Sequence, residues 1–166
     1  MKKLDVVTGK TNQILVISGA SGSGKTTTCA LLQFLYPKNY AHIPFDRSRA
    51  SRPGEFGSRH VDLETMFQKY NDGEYFNIAP VTHNGYAAIR TADINKAFSD
   101  GKVAVIEFPL EQIAILEKNF PQANVTVVEL VAPSEKERLR RLKKDHKYTD
   151  QRIEGDAYGS GRIERY

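Results

Sequence analysis

The stretch ISGASGSGKTTT, residues 17–28, decides how this chain is read. It closes an apolar run, NQILVIS at 12–18, turns through glycine and serine, and opens KTTTCALLQFLY at 25–36. The first segment reads as a buried strand and the last as a helix closed by Pro37. Between them Gly19–Thr26 spell G-x-x-x-x-G-K-T. Strand, glycine turn and helix in that order are the setting in which this motif forms a phosphate-binding P-loop. The glycines let consecutive backbone N–H groups face one phosphate chain, and the helix adds its positive end. Ala20, Ser21, Gly22, Ser23, Gly24, Lys25, Thr26 and Thr27 are therefore the candidate phosphate cradle. Lys25 would span the β- and γ-phosphates and the Thr26 hydroxyl would ligate a metal, so the expected ligands are ATP and Mg²⁺.

Outward from the loop, apolar strands alternate with helices. KVAVIEF, LEQIAILEKNF, NVTVVELVA and SEKERLRRLKK read as strand, helix, strand and helix, the last opened by Ser134 with Glu137 at capping-box spacing. That alternation predicts a parallel sheet covered on both faces, an α/β fold. The middle of the chain interrupts it. NYAHIPF reads as a short strand and DRSRASRPGEFGSRH as a loop without apolar period. LETMFQKYNDG reads as a helix ending at Gly73, EYFNIAPVTHNGYAAIR as strands, and TADINKAFSDG as a helix with Thr91 as N-cap.

The bulk properties fit one soluble domain: 166 residues, 40% hydrophobic, 27% charged. A net charge of +4 suits a polyanionic ligand such as a nucleotide without demanding nucleic acid. No segment is long and apolar enough to cross a bilayer, and MKKLDVVTGK lacks a signal-peptide core. The single cysteine, Cys29, suits a reducing compartment, so the expected location is the cytoplasm, with Cys29 a small buried helix residue. The four histidines, His42, His60, His83 and His146, show no Cys/His ligand spacing, and a structural zinc site is not expected.

Arg47, Arg49, Arg52 and Arg59 fall within thirteen residues, with Glu55 among them. Guanidinium groups clamp phosphate in pairs, so this loop points to an acceptor that already carries phosphate. Here the chain resembles the guanylate kinase family. The likeness is carried by SRASRPGE, LETMFQKYNDGEYF, HNGY and SDGKVAVIEF, in order and spacing, and runs from Ile14 to about Leu142.

The resemblance implies a P-loop kinase core with a parallel sheet flanked by helices, an inserted acceptor-binding subdomain and a lid. In this chain they would fall as one domain over 1–166, with core 13–43 and 102–142, insertion 44–90 and lid about 143–161. It implies that Arg49 and Arg52 hold the acceptor phosphate, with Glu55, Arg59, Asn77, Tyr86 and Glu107 in the acceptor site. Arg141 and Arg162, with Arg165, are the arginines that would neutralise charge from the lid, while Arg138 and Arg140 would be solvated.

The chain also departs from the family pattern. Asn77 stands nearest the family's guanine-reading glutamate, and Ala87 and Ile89 replace a tyrosine and a serine or threonine. Glu107 keeps only the first acid of a D-x-D pair. The implied reaction is transfer of the γ-phosphoryl of ATP to a nucleoside monophosphate, with the base unassigned. Three alternatives stay open: a modified-nucleotide kinase, a non-catalytic binding module, and a sugar-phosphate kinase. GSRHVDL is similar to a segment of ribose 1,5-bisphosphate phosphokinases and supports the last. A homodimer is one option for assembly.

Overall fold

In the computed structural model, which describes residues 12–50, 55–81 and 85–144, the apolar run ahead of the phosphate loop is strand β1, Asn12–Ser18. It lies between β7 (Val103–Glu107) and β8 (Ala123–Glu129), with β2 (Tyr40–His42) beyond β7. All three pairings are parallel. Helices between the strands cover both faces, which makes the core the parallel α/β layer expected of a P-loop kinase. Alternation along β1 explains the layering. Ile14 and Val16 face one side and join the main core, whereas Leu15 and Ile17 face helix α1 (Lys25–Leu35). In β7, Ala104 and Ile106 face the main core and Val105 faces α1, so Glu107 shares the α1 face with Val105.

A second sheet is built from the middle of the chain, in the order β4 (Ser58–His60), β3 (Phe45–Arg47), β6 (Gly85–Arg90), β5 (Tyr75–Val81). Parts of the segment expected as an irregular loop are thus ordered strands. β3 and β4 pair in parallel, and β3 pairs antiparallel with β6. Backbone pairing across the sheet rescues a stretch too polar to show a strand pattern.

Helix α2 (Leu63–Asn71) covers one face of this sheet through Met66, Tyr75 and Ala88. Asp62 caps α2 by accepting from the Thr65 N–H at 2.9 Å. The other face runs into the main core, where Phe76 and Ile89 meet Ile94 and Ala97 of α3 (Thr91–Ser99) and Leu116 of α4 (Ile113–Asn119). One apolar core therefore joins the two sheets. α3 begins at Thr91 with Arg90 in the cap position and no side-chain cap, one residue off the expected start. A single 3-10 turn, Leu110–Gln112, precedes α4.

The last element, α5 (Glu135–Lys144), is opened by Ser134, whose hydroxyl accepts from the Glu137 N–H at 3.2 Å. The Glu137 carboxylate does not close a capping box; it turns to Arg140 and Arg141 instead. Arg52, Arg162, Arg165 and most of the expected lid lie outside the described residues.

Candidate active site

The loop between β1 and α1 folds as the motif requires. Gly19, Gly22 and Gly24 all take positive φ, and Gly24 leads directly into the helix. Gly22 shows why a side chain is excluded. Its φ is 82°, and a Cβ there would meet the Arg138 carbonyl oxygen at 3.0 Å and Leu142 Cγ at 3.2 Å.

The Lys25 ammonium lies across the loop, donating to the carbonyls of Gly19 at 2.6 Å and Ala20 at 2.9 Å. Ser23 Oγ is buried without a hydrogen-bond partner among the described residues, which fits a cradle shaped for an anion. Thr26 and Thr27 are exposed at the first turn of α1. The loop thus suits a phosphate chain, and Thr26 offers an exposed hydroxyl oxygen at its end for a divalent cation.

Helix α5 packs on the same loop. Arg138 donates from Nη1 to the Ser21 carbonyl at 3.1 Å, while Glu135 accepts from its Nε at 2.7 Å. It is buried, which corrects the expectation of a solvated arginine. Arg141 reaches the Gly22 carbonyl at 3.4 Å and pairs with Glu137. Arg140 is exposed and pairs with the same carboxylate, as expected of a solvated face. The donated bonds from Arg140 and Arg141 pull the Glu137 carboxyl down to about 2.

A cleft of about 310 Å³ runs from this loop to the second sheet. Ser18, Gly19, Ser21 and Lys25 line one end, Glu107, Phe108 and Gln112 the middle, and Phe45, Arg47, Asn77, Ala87 and Ile89 the other. Asn77 reaches this face through a bulge. Tyr75 pairs with Arg90 but Asn77 pairs with Ile89, so β5 carries an extra residue there. Phe76 and Asn77 consequently lie on the same side of the sheet, and Asn77 Nδ2 donates to Gln112 Oε1 at 2.8 Å.

The arginines separate by strand alternation. Phe45 and Arg47 face the cleft, with the guanidinium 4.9 Å from the Phe45 ring centre, while Asp46 between them points the other way. Asp46 is fully buried. It accepts from Arg59 Nε at 2.6 Å, Arg90 Nε at 2.7 Å and the Tyr75 hydroxyl at 2.6 Å. Burial pushes its carboxyl up, but the bonds from Tyr75, Arg90 and Arg59 outweigh that and hold it below the usual carboxylate range.

Arg59 also pairs with Asp93 of α3 and, like Arg49 and Glu55, is not among the residues that line this cleft. Tyr86 likewise does not line the cleft: its ring stacks edge-on against Phe67 of α2 at 5.2 Å. Arg49 makes a two-pronged pair with Glu55, which also lies 3.8 Å from Arg47 Nε, so one carboxylate gathers both guanidiniums. Arg47 and Gln112 are thus cleft residues absent from the expected set. The Phe-Asp-Arg alternation carried a signal for Arg47; nothing local marked Gln112.

Beneath the loop, Cys29, His42 and Glu107 offer ligand atoms that all lie within 4.8 Å of one another. Burial, reinforced by the Glu107 charge, pushes the Cys29 thiol up to about 12, and burial brings His42 down to about 4. Cys29 is the buried helix residue expected of it.

No protein-family model matches the chain. Individual proteins do. It is 30% identical over 113 residues to a guanylate kinase of Helicobacter pylori, covering 66% of this chain and 54% of that protein. A guanylate kinase of Wolinella succinogenes is 27% identical over 132 residues, covering 78% of this chain and 60% of that one. The crystal structure of guanylate kinase from Anaplasma phagocytophilum superposes with a TM-score of 0.62 at 17% identity, covering 91% of this chain and 71% of that chain.

The chain thus resembles guanylate kinases in sequence and in fold. It spans little more than half the length of the Helicobacter relative. Its first sheet with α1 carries the glycine-rich loop, and its second sheet supplies the far wall of the cleft. No helix among the described residues is long and apolar enough to cross a membrane.

Proposed function

We propose that this chain is an ATP- and Mg²⁺-dependent phosphotransferase that moves the γ-phosphoryl group of ATP onto the phosphate of a nucleoside monophosphate. The observation that carries the reading is the continuity of the cleft. A phosphate loop with its lysine and an arginine-bearing sheet face with an amide pair line one space. The γ-phosphorus–oxygen bond to ADP breaks as a bond to the acceptor phosphate oxygen forms. That acceptor is already ionised at neutral pH and needs no general base. Mg²⁺, when bound, would supply charge neutralisation to the transferring phosphoryl group, with Thr26 as the residue to hold it.

The protein's own part is positioning. The loop N–H groups and Lys25 hold the donor, and Arg47 and Arg49, gathered by Glu55, hold the acceptor phosphate. Arg52, from the same segment, joins them in this proposal. Arg138 and Arg141 tie α5 to the loop. The guanylate-kinase relatives suggest a GMP-like acceptor, but the residues at the base end argue for a different edge. Asn77 gives its N–H to Gln112, which leaves Asn77 Oδ1 to accept and Gln112 Nε2 to donate. A carboxylate would match the two N–H donors of guanine; this amide pair matches one donor beside one acceptor. GMP is therefore not strongly preferred.

The test is ADP release with GMP, dGMP, AMP, CMP, UMP, dTMP and ribose phosphates as acceptors. Turnover with a monophosphate supports the reading. Turnover with ribose phosphates alone makes it a sugar-phosphate kinase, and no turnover with any acceptor makes it a binding module. A hundredfold preference for GMP in kcat/KM refutes the base assignment.

A further inference from the structure

We infer that Cys29, His42 and Glu107 form a binding site for one zinc-class divalent cation, set between α1, β2 and β7 beneath the phosphate loop. This goes beyond the kinase reading and does not depend on it. The three residues come from three elements: Cys29 one helical turn after Lys25, His42 at the end of β2, and Glu107 at the end of β7. Parallel pairing sets His42 beside Val105, and pleating then brings Glu107 to the same α1-facing side on which Cys29 packs. A thiol, an imidazole nitrogen and a carboxylate oxygen thereby fall within 4.8 Å of one another.

Two further observations point to a ligand. His42 is only 9% exposed, and its Nε2 has no hydrogen-bond partner among the described residues. A buried imidazole nitrogen left in that condition is costly unless something binds it. Its ring is also locked in place. It stacks on Phe56 at 5.0 Å, and Gly57 presses so closely on its edge that a Cβ there would sit 2.1 Å from Cε1. The site is built to keep this side chain in one orientation.

The chemistry selects the ion. Thiolate and carboxylate bring two negative charges and the neutral imidazole none, which balances the charge of a divalent cation. Sulfur, nitrogen and oxygen together suit zinc and its neighbours, and three protein ligands leave a fourth position open. Magnesium and calcium demand oxygen, of which this site offers one carboxylate. The cysteine has no other evident chemistry. It is wholly buried, so it cannot reach a substrate in the cleft as a nucleophile. Bound metal would pin α1 to the first sheet. It would also draw Glu107, a cleft-lining side chain, toward the helix.

The chain has a single cysteine, which makes the test specific. The reduced, metal-stripped full chain is titrated with Co²⁺ and followed by absorption, and its thermal midpoint is measured with and without Zn²⁺. The expected result is one equivalent of Co²⁺ giving visible tetrahedral bands with a near-ultraviolet thiolate charge-transfer band. Zinc should bleach both and raise the midpoint, and magnesium should not. Cys29→Ser should lose the charge-transfer band, and His42→Gln should weaken binding at least tenfold, while His60→Gln behaves as the parent. Absence of the charge-transfer band from the parent protein overturns the site, and this result needs no variant to fold. Persistence of the band in Cys29→Ser overturns it equally.

Discussion

Replacing Asp46 by Asn removes one buried charge from the point where the second sheet is tied together, and the structure allows the cost to be worked out. Both carboxylate oxygens are engaged, one by Arg59 and the other by Arg90 and Tyr75. Asparagine keeps one acceptor and turns an N–H₂ group toward donors, so at least one contact becomes a donor–donor clash. Breaking a buried ion pair from one side costs about 3–5 kcal/mol when the partner stays desolvated. Here the arginines are 35% and 29% exposed, so water recovers part of their solvation and the lower end, about 3 kcal/mol, is expected.

With a urea slope of about 2 kcal/mol/M, the unfolding midpoint falls by about 1.5 M, read by circular dichroism at pH 7. The pH dependence gives a second check. The Asp46 carboxyl is held below its ordinary value, so the unfolded chain binds its proton more readily. That stabilisation is present above the unfolded carboxyl pKa, about 4, and is lost as pH falls through the lower folded value. The gap between parent and Asp46→Asn should therefore narrow below about pH 4. A midpoint change under about 0.3 M, or a gap that stays constant between pH 7 and 3, would refute the reasoning.

Lys25→Ala should lower kcat by about a hundredfold or more while leaving the urea midpoint near the parent's, since the ammonium serves the loop and not the core. Arg47→Ala should raise the acceptor KM roughly ten- to hundredfold, from about 1.5–3 kcal/mol of charge-assisted contact, with ATP affinity unchanged. Arg59→Ala should do the reverse, lowering the urea midpoint and sparing the acceptor KM; equal KM effects in the two variants would place Arg59 back in the acceptor site. Gly22→Ala should cost roughly 1–2 kcal/mol for the left-handed backbone alone and should weaken ATP binding by pushing α5 off the loop, measurable by calorimetric titration.

What the sequence by itself determined is local in origin. The phosphate loop was legible from Gly19 to Thr26 because motif, preceding strand and following helix are contiguous, and the strands around it announced a parallel sheet by their unbroken apolar character. The side chains that shape the cleft depend instead on pairing between distant segments. Arg47 and Arg59 look equivalent in the chain. Asp46 takes Arg59 into a buried clamp only because β3 pairs with both β4 and β6. Asn77 faces the cleft because an extra residue in β5 shifts the pleat, and a shift of one residue moves a side chain to the other face of a sheet. Cys29, His42 and Glu107 are scattered over 79 positions without metal-ligand spacing, and they meet because the parallel strands β2 and β7 stop side by side under α1. Sequence spacing records neighbours along the chain, whereas strand register decides neighbours across the sheet, and the second-sheet wall of this cleft is built across the sheet.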